Sequence, residues 1–243
     1  MIAAIDRPRR LRLVLTPAVV GVGLVLLAVY AAGSAMPGDE GIINRTYLTS
    51  RLGTHLELVA IAYTLAVVIG VPVGVALVSA GKAARIPVLL LANLGQATPS
   101  IGVLGLAYAV TGLGLRTATI ALVLYGLLPI LRNTLVAIEG VDEAAMDAAR
   151  GMGMTRLQQL RQVQLPLAAP AIFAGLRTSL VLIIGTATLA GFVGAGGLGD
   201  VINAGIDAGR DRIIYVGAGI VAALALLADW ALGLIERLLT PRT

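Results

Sequence analysis

Leu13-Val-Leu-Thr-Pro-Ala-Val-Val-Gly-Val-Gly-Leu-Val-Leu-Leu-Ala-Val-Tyr30 contains no charged side chain. A helix crossing the ~30 Å hydrocarbon core of a bilayer needs ~20 mostly apolar residues. Extended to Ala35, this run meets that length. So do His55–Ser79, Ile86–Val110, Thr117–Ala137, Leu167–Ala190 and Ile213–Glu236. Their lengths argue against helices buried in a soluble core. The reading is an all-α integral membrane protein with about six transmembrane helices.

Composition supports it. The 243 residues are 58% hydrophobic and only 13% charged, against about 25% charged in soluble domains. So few charges cannot clothe a globular surface, and lipid must take the place of water. No cysteine and a single histidine, His55, exclude disulfides, thiolate or multi-histidine metal sites and cysteine nucleophiles. No cofactor is expected. The net charge of +5 suits the cytoplasmic flanks of spanning helices better than a nucleic-acid partner. With an internal N-terminus, the alternation places twelve Lys and Arg inside and five outside. Both termini are therefore expected in the cytoplasm of a multi-pass protein of the inner (plasma) membrane. The apolar run of the first segment exceeds the 7–15 residues of a signal-peptide core, so a retained helix is expected.

The chain divides into residues 1–50, holding a cytoplasmic N-terminus, the first helix and an external loop, a membrane core at 51–237, and a tail at 238–243. Within the core, 138–166 is the one long cytoplasmic loop. Long ordered loops are usually functional. Glu143, Asp147 and Arg150 recur at i, i+4, i+7 and share one side of a short helix. Ala144, Ala145, Ala148 and Ala149 form the other side, which permits close approach by another backbone. Gly151 and Gly153 break the helix. Thr155 and Gln158 have capping-box spacing for a second one, and Pro166 opens the next span. Such a helix–glycine–helix knuckle is either a docking element or a solvated connector.

Asp147-Ala148-Ala149, followed by Gly153, Val163, Leu165 and Pro166, resembles the "EAA" loop of ABC importer permeases. The family pattern is Glu-Ala-Ala, three residues, Gly, nine residues, Ile, one residue, Leu-Pro. The spacing matches throughout, with Asp147 for Glu and Val163 for Ile. The resemblance implies a coupling helix that docks on a separate ATP-binding cassette ATPase, with Glu143, Asp147, Ala148, Ala149, Gly153, Val163, Leu165 and Pro166 as its signature. The shorter reach of Asp147 leaves its docking role in doubt. Segments at 96–100, 125–134, 149–154, 185–190 and 194–199 are similar to one branch, the osmoprotectant permeases. That branch implies import of glycine betaine, choline, carnitine or a similar quaternary amine by alternating access. It further implies a second permease half, identical or related, and a separate extracytoplasmic substrate-binding protein.

Polar groups inside the spans are candidates for the path. They are Asn93, Gln96, Thr98 and Pro99 in the third span, Asn133 in the fourth, and Thr178, Thr186 and Thr188 in the fifth. Hydrogen bonding between helices is the competing explanation. Arg177 and Asp229 are the charges most clearly within spans. They either pair, or face water, and Arg132 is a rival partner for Asp229. Gly194-Ala-Gly196-Gly-Leu-Gly199 fits GxGxxG but lacks a strand–turn–helix context, and is read as a flexible or tightly packed external turn. His55 is read as interfacial.

No phosphate-binding loop is present: Gly81-Lys82 is followed by Ala83, and position 76 is not glycine. ATP hydrolysis is therefore expected on a partner, and this chain is not expected to be an enzyme. A permease for another small solute and, further off, an ion-coupled secondary transporter are the alternatives. The coupling spacing has no use in the latter. Quaternary amines are held by aromatic cages, and 2 Phe, 1 Trp and 6 Tyr form no cluster in sequence. Calorimetry on the isolated chain should therefore show no submicromolar binding of betaine, choline or carnitine. Binding at that strength would refute the cage argument.

Overall fold

A computed structural model describes residues 7–33 and 39–239, with the side chains of 7–14, Gly33, Glu40, Lys82, Ala92, Gly95, Gln96 and Leu239 outside the described set. The tail expected at 238–243 is described only to Leu239. Ten α-helices follow one another: α1 Arg7–Gly33, α2 Arg45–Ser79, α3 Lys82–Ala97, α4 Ser100–Thr111, α5 Leu115–Glu139, α6 Glu143–Gly151, α7 Arg156–Gln158, α8 Leu165–Thr186, α9 Leu198–Asp207 and α10 Asp211–Leu239. No strand occurs among the described residues. Five helical stretches are long and apolar enough to cross a membrane: Leu15–Ala32, Arg45–Ser79, Leu115–Glu139, Arg156–Val193 and Asp211–Leu238.

The expected span Ile86–Val110 is instead two helices, α3 and α4, divided at Thr98–Pro99. Proline lacks an N–H and forces the residue before it out of helical geometry. Thr98 accordingly takes φ −75°, ψ 133°. The Thr98 hydroxyl donates to the Leu94 carbonyl at 2.8 Å, meeting an acceptor at the helix end. The expected count of about six therefore becomes five continuous helical stretches of crossing length, with α3 and α4 as the divided sixth segment.

The fifth expected span, Leu167–Ala190, is longer than its hydropathy suggests. Helical structure runs from α7 through a π-helical turn, Gln159–Gln164, into α8, and on through a 3-10 stretch, Ala187–Val193. Pro166 cannot donate to the carbonyl of Gln162, so the regular i→i−4 ladder is interrupted there. The wider π spacing carries the chain past that position without ending the rod.

The core forms where α5 lies between α2 and α8. Leu58, Ala62 and Ala66 of α2 meet Ala118, Leu122 and Ile130 of α5, with Ile183 and Ile184 of α8 on the other side. Small residues set the spacing. A Cβ on Gly126 would lie 2.5 Å from Ile183 Cδ1, and one on Gly175 would lie 2.9 Å from the Pro129 carbonyl. Ser179 Oγ donates across the seam to the Gly126 carbonyl at 2.7 Å. Tyr30 of α1 meets Tyr215 of α10 edge-on at 5.9 Å.

At the end remote from α6, the segment 191–212 lies between the last two expected spans. It contains α9. The glycine segment before α9 turns through φ 73° at Gly194, 80° at Gly196 and 99° at Gly197, which favour glycine. A Cβ on Gly199 would fall 1.8 Å from the Thr188 carbonyl oxygen. Of the two readings offered, tight packing holds. Arg51 of α2 pairs with Asp200 of α9 at 2.7 Å, and its guanidinium lies 4.8 Å from the Tyr47 ring centre. Asp39, nearly fully buried, accepts from both Arg210 and Arg212. His55 packs against the glycine segment. It is fully buried beside the backbone of Gly197, and neither ring nitrogen makes a well-formed hydrogen bond. At the α6 end, Arg85 of α3 holds Glu139 of α5 through two hydrogen bonds.

Gly199→Ala should lower the thermal stability of the detergent-solubilised protein by about 1–3 kcal/mol, the usual range for overpacking. Gly53→Ala, with nothing within 4 Å of its added methyl, should leave the melting temperature unchanged or slightly raised. Equal behaviour of the two variants would contradict this packing.

Candidate coupling loop and membrane groove

The loop begins where α5 ends at Gly140. Asp142 caps α6 by accepting from the Ala144 amide at 3.1 Å. Glu143 in the first turn and Arg150 in the last complement the helix dipole. Asp147 and Arg150 form an ion pair on the exposed side. The hydrogen bond that Arg150 donates to Asp147, and then the charge of Asp147, raise the guanidinium pKa of Arg150.

The four alanines do not act as one face. Ala149 is fully buried against its own chain, whereas Ala144 and Ala148 are exposed. Gly153 reverses the chain at φ 73°, and the amide of Met154 returns to the Ala149 carbonyl at 3.1 Å. Thr155 and Gln158 make a reciprocal capping box. Leu160 and Leu165 pack on a cluster built from Ile138, Ala168 and Ile172. Val163 and Pro166 are half-buried. Of the signature residues, Leu165 thus holds the knuckle to the membrane helices, and Ala149 is buried within its own chain. Glu143, Asp147 and Ala148 point outward, beside an exposed Met152.

The path candidates do not gather at one point. Thr178, Thr186 and Thr188 donate to the carbonyls of Ala174, Leu182 and Gly185 at 2.9, 2.7 and 2.7 Å. Asn133 donates to the Pro129 carbonyl at 2.8 Å. Each of these bonds is local to its own stretch of chain, so none ties one helix to another. Thr186 lines a small pocket with Ser100, Leu104, Tyr125 and Leu189. Asn93 is exposed on α3. The side chain of Gln96 lies outside the described residues.

Arg177 and Asp229 meet across α8 and α10. Arg177 Nε donates to one carboxylate oxygen and an Nη to the other, both at 2.8 Å. The other Nη reaches Glu236 at 3.2 Å. Asp229, Gly233 and Glu236 lie at i, i+4, i+7 on one face of α10. A Cβ on Gly233 would stand 3.4 Å from the guanidinium carbon, so Arg177 lies over that glycine. The partner of Asp229 is thus Arg177, not Arg132. Glu236 was not expected in the cluster, although its spacing from Asp229 about Gly233 was there to be read. The pair opens on a groove of about 510 Å³, lined by Ala174, Arg177, Thr178, Val181, Ala225, Leu226 and Asp229. Among the described residues, no three His, Asp or Glu side chains are grouped to hold a metal.

Comparison with known proteins gives the family. Residues 66–241 match the family described as binding-protein-dependent transport system inner membrane component. The chain is 42% identical over 199 residues to the glycine betaine/carnitine/choline transport system permease protein OpuCB of Bacillus subtilis, covering 82% of this chain and 91% of that one. It is 42% identical over 204 residues to the osmoprotectant import permease protein OsmW of Salmonella typhimurium, covering 82% and 94%. Among solved structures, an inward-facing MetNI methionine ABC transporter superposes with a TM-score of 0.73 at 24% identity, over 85% of this chain and 100% of that chain, which concerns the fold alone. The chain belongs to the binding-protein-dependent transport system inner membrane components, the multi-pass permease subunits of ABC transporters.

Proposed function

We propose that this permease translocates a quaternary-amine osmoprotectant, such as glycine betaine, choline or carnitine, by alternating access. ATP is hydrolysed on a partner ATPase that receives α6. A second permease half completes the path. An external binding protein supplies the high-affinity aromatic cage that this chain lacks. Both termini lie in the cytoplasm, on the side of α6. Support for the substrate class comes from the relatives at 42% identity, whose names specify glycine betaine, carnitine, choline or osmoprotectants. An ion-coupled carrier is disfavoured because Asp229, its candidate carboxylate, is engaged by Arg177.

The observation that carries the ATPase reading is the division of labour in α6. Leu165 roots the knuckle in the membrane helices and Ala149 is buried within the chain, which leaves the Glu143, Asp147 and Ala148 side free for a partner. Exposed Ala148 leaves room for a close backbone, and a bulky group there would hold the partner off. Ala148→Trp should therefore cut co-purified ATPase and solute uptake at least about tenfold, equivalent to roughly 1.4 kcal/mol of binding, while the permease keeps its folded yield. Ala149→Trp should damage the folded yield itself, because that methyl is buried within the chain. Intact ATPase capture by the Ala148 variant would remove this face from the proposal.

A further inference from the structure

The groove between α8 and α10 has a chemistry that the coupling loop does not use. The side chains of Arg177 and Asp229 are still 33% and 40% exposed despite their bidentate bond. A charge inside the bilayer costs about 2.5–3.5 kcal/mol on insertion scales, so such residues face water or a polar partner instead of lipid. The groove's volume of about 510 Å³ lies within the usual range for small-molecule sites. Its other walls are Ala174, Val181, Ala225 and Leu226, with Thr178 beside the ion pair. The hydroxyl hydrogen of Thr178 is already committed to the Ala174 carbonyl.

Those walls fit one class of solute. A trimethylammonium group has no N–H to donate, so methyl-lined walls and a nearby anion suit it. A carboxylate is matched by the planar fork of an arginine. A zwitterion carrying both groups is the charge complement of the Arg177–Asp229 pair. Glu236 matters here, because it stays beside Arg177 when Asp229 turns toward a cation. We infer that this groove is a transit site for zwitterionic quaternary amines, with Arg177 receiving the carboxylate and Asp229 facing the trimethylammonium group. The inference rests on the osmoprotectant reading above. Displacing an existing ion pair keeps the site weak, as transit requires. Choline has no carboxylate and gains nothing from Arg177, so the two residues sort substrates by class.

The absence of cysteine from the sequence makes the test direct. Thr178→Cys is assembled with its ATPase and binding protein in proteoliposomes. It is then treated with 2-(trimethylammonium)ethyl methanethiosulfonate, a water-soluble trimethylammonium thiol reagent. The cysteine should be labelled, glycine betaine should slow the labelling about tenfold, and the labelled importer should lose uptake. No labelling, or labelling that glycine betaine leaves unchanged, would overturn the site. In a second arm, Arg177→Gln should reduce glycine betaine uptake about tenfold more than choline uptake. Equal losses would remove the carboxylate role. If the unmodified importer takes up neither solute, the osmoprotectant reading itself fails and takes the transit site with it. If it takes up both, failure of the labelling arm counts against the groove alone.

Discussion

Inside a bilayer, every backbone amide and carbonyl must find its partner within the protein, because lipid offers none. The architecture follows from how this chain meets that demand where its helices are imperfect. At Thr98–Pro99 the ladder stops, and the Thr98 amide and hydroxyl both donate to the Leu94 carbonyl. At Pro166 the ladder widens into a π-helical turn and continues. Beyond Thr186 it tightens to 3-10 geometry, and the hydroxyls of Thr186 and Thr188 bond carbonyls of their own stretch. Polar residues that read from sequence as path-lining are thus largely bonded to carbonyls of their own stretch of helix.

The same demand explains the packing of α2, α5 and α8. With lipid as apolar as leucine, burial of apolar area gives little drive for helices to associate. Close van der Waals contact must do it. Gly126 and Gly175 bring α5 and α8 together, and Gly70 and Gly74 bring α2 onto α5. Ser179 then makes a hydrogen bond across a seam too narrow for water. The tightest contact, Gly199 on the Thr188 carbonyl, seats α9 against the end of the α8 rod. Arg51–Asp200 and Asp39 with its two arginines tie the connecting segments around it.

Much of this was legible because hydropathy and length are properties of the chain alone. The five long crossings and the short loop helix α6 could be read directly, and the capping box at Thr155 was visible as a spacing. The break at Pro99 was not, because the segments on either side are equally apolar and the pattern runs through. α9 escaped because ten residues cannot announce a span. The burial of His55 was not legible because it depends on Gly197, remote in sequence. Ala148 and Ala149 are chemically identical, so only the path of the chain after Gly153 decides which faces inward. Arg177 and Asp229 could be flagged by their cost in lipid. The third member, Glu236, needed Gly233 to be seen as a platform.

The two candidate sites share one mechanical element. From Arg156 to Val193 the chain is helical without a turn, joining the knuckle that carries α6 to the residue that holds Asp229. Arg177 stands 21 residues along that rod, roughly 30 Å at 1.5 Å per residue. α10 has no such connection to α6. In the proposed cycle, a displacement of α6 by the ATPase therefore moves α8 along or about its axis relative to α10, and the seam between them is where Arg177 sits. A bidentate bond is intolerant of such sliding, whereas the Asp229–Gly233–Glu236 face offers Arg177 a second carboxylate two turns further on. The ion cluster can thus stay compensated as the helices move. Release of Asp229, the carboxylate that lines the groove, is the condition a cationic solute needs in order to enter and leave.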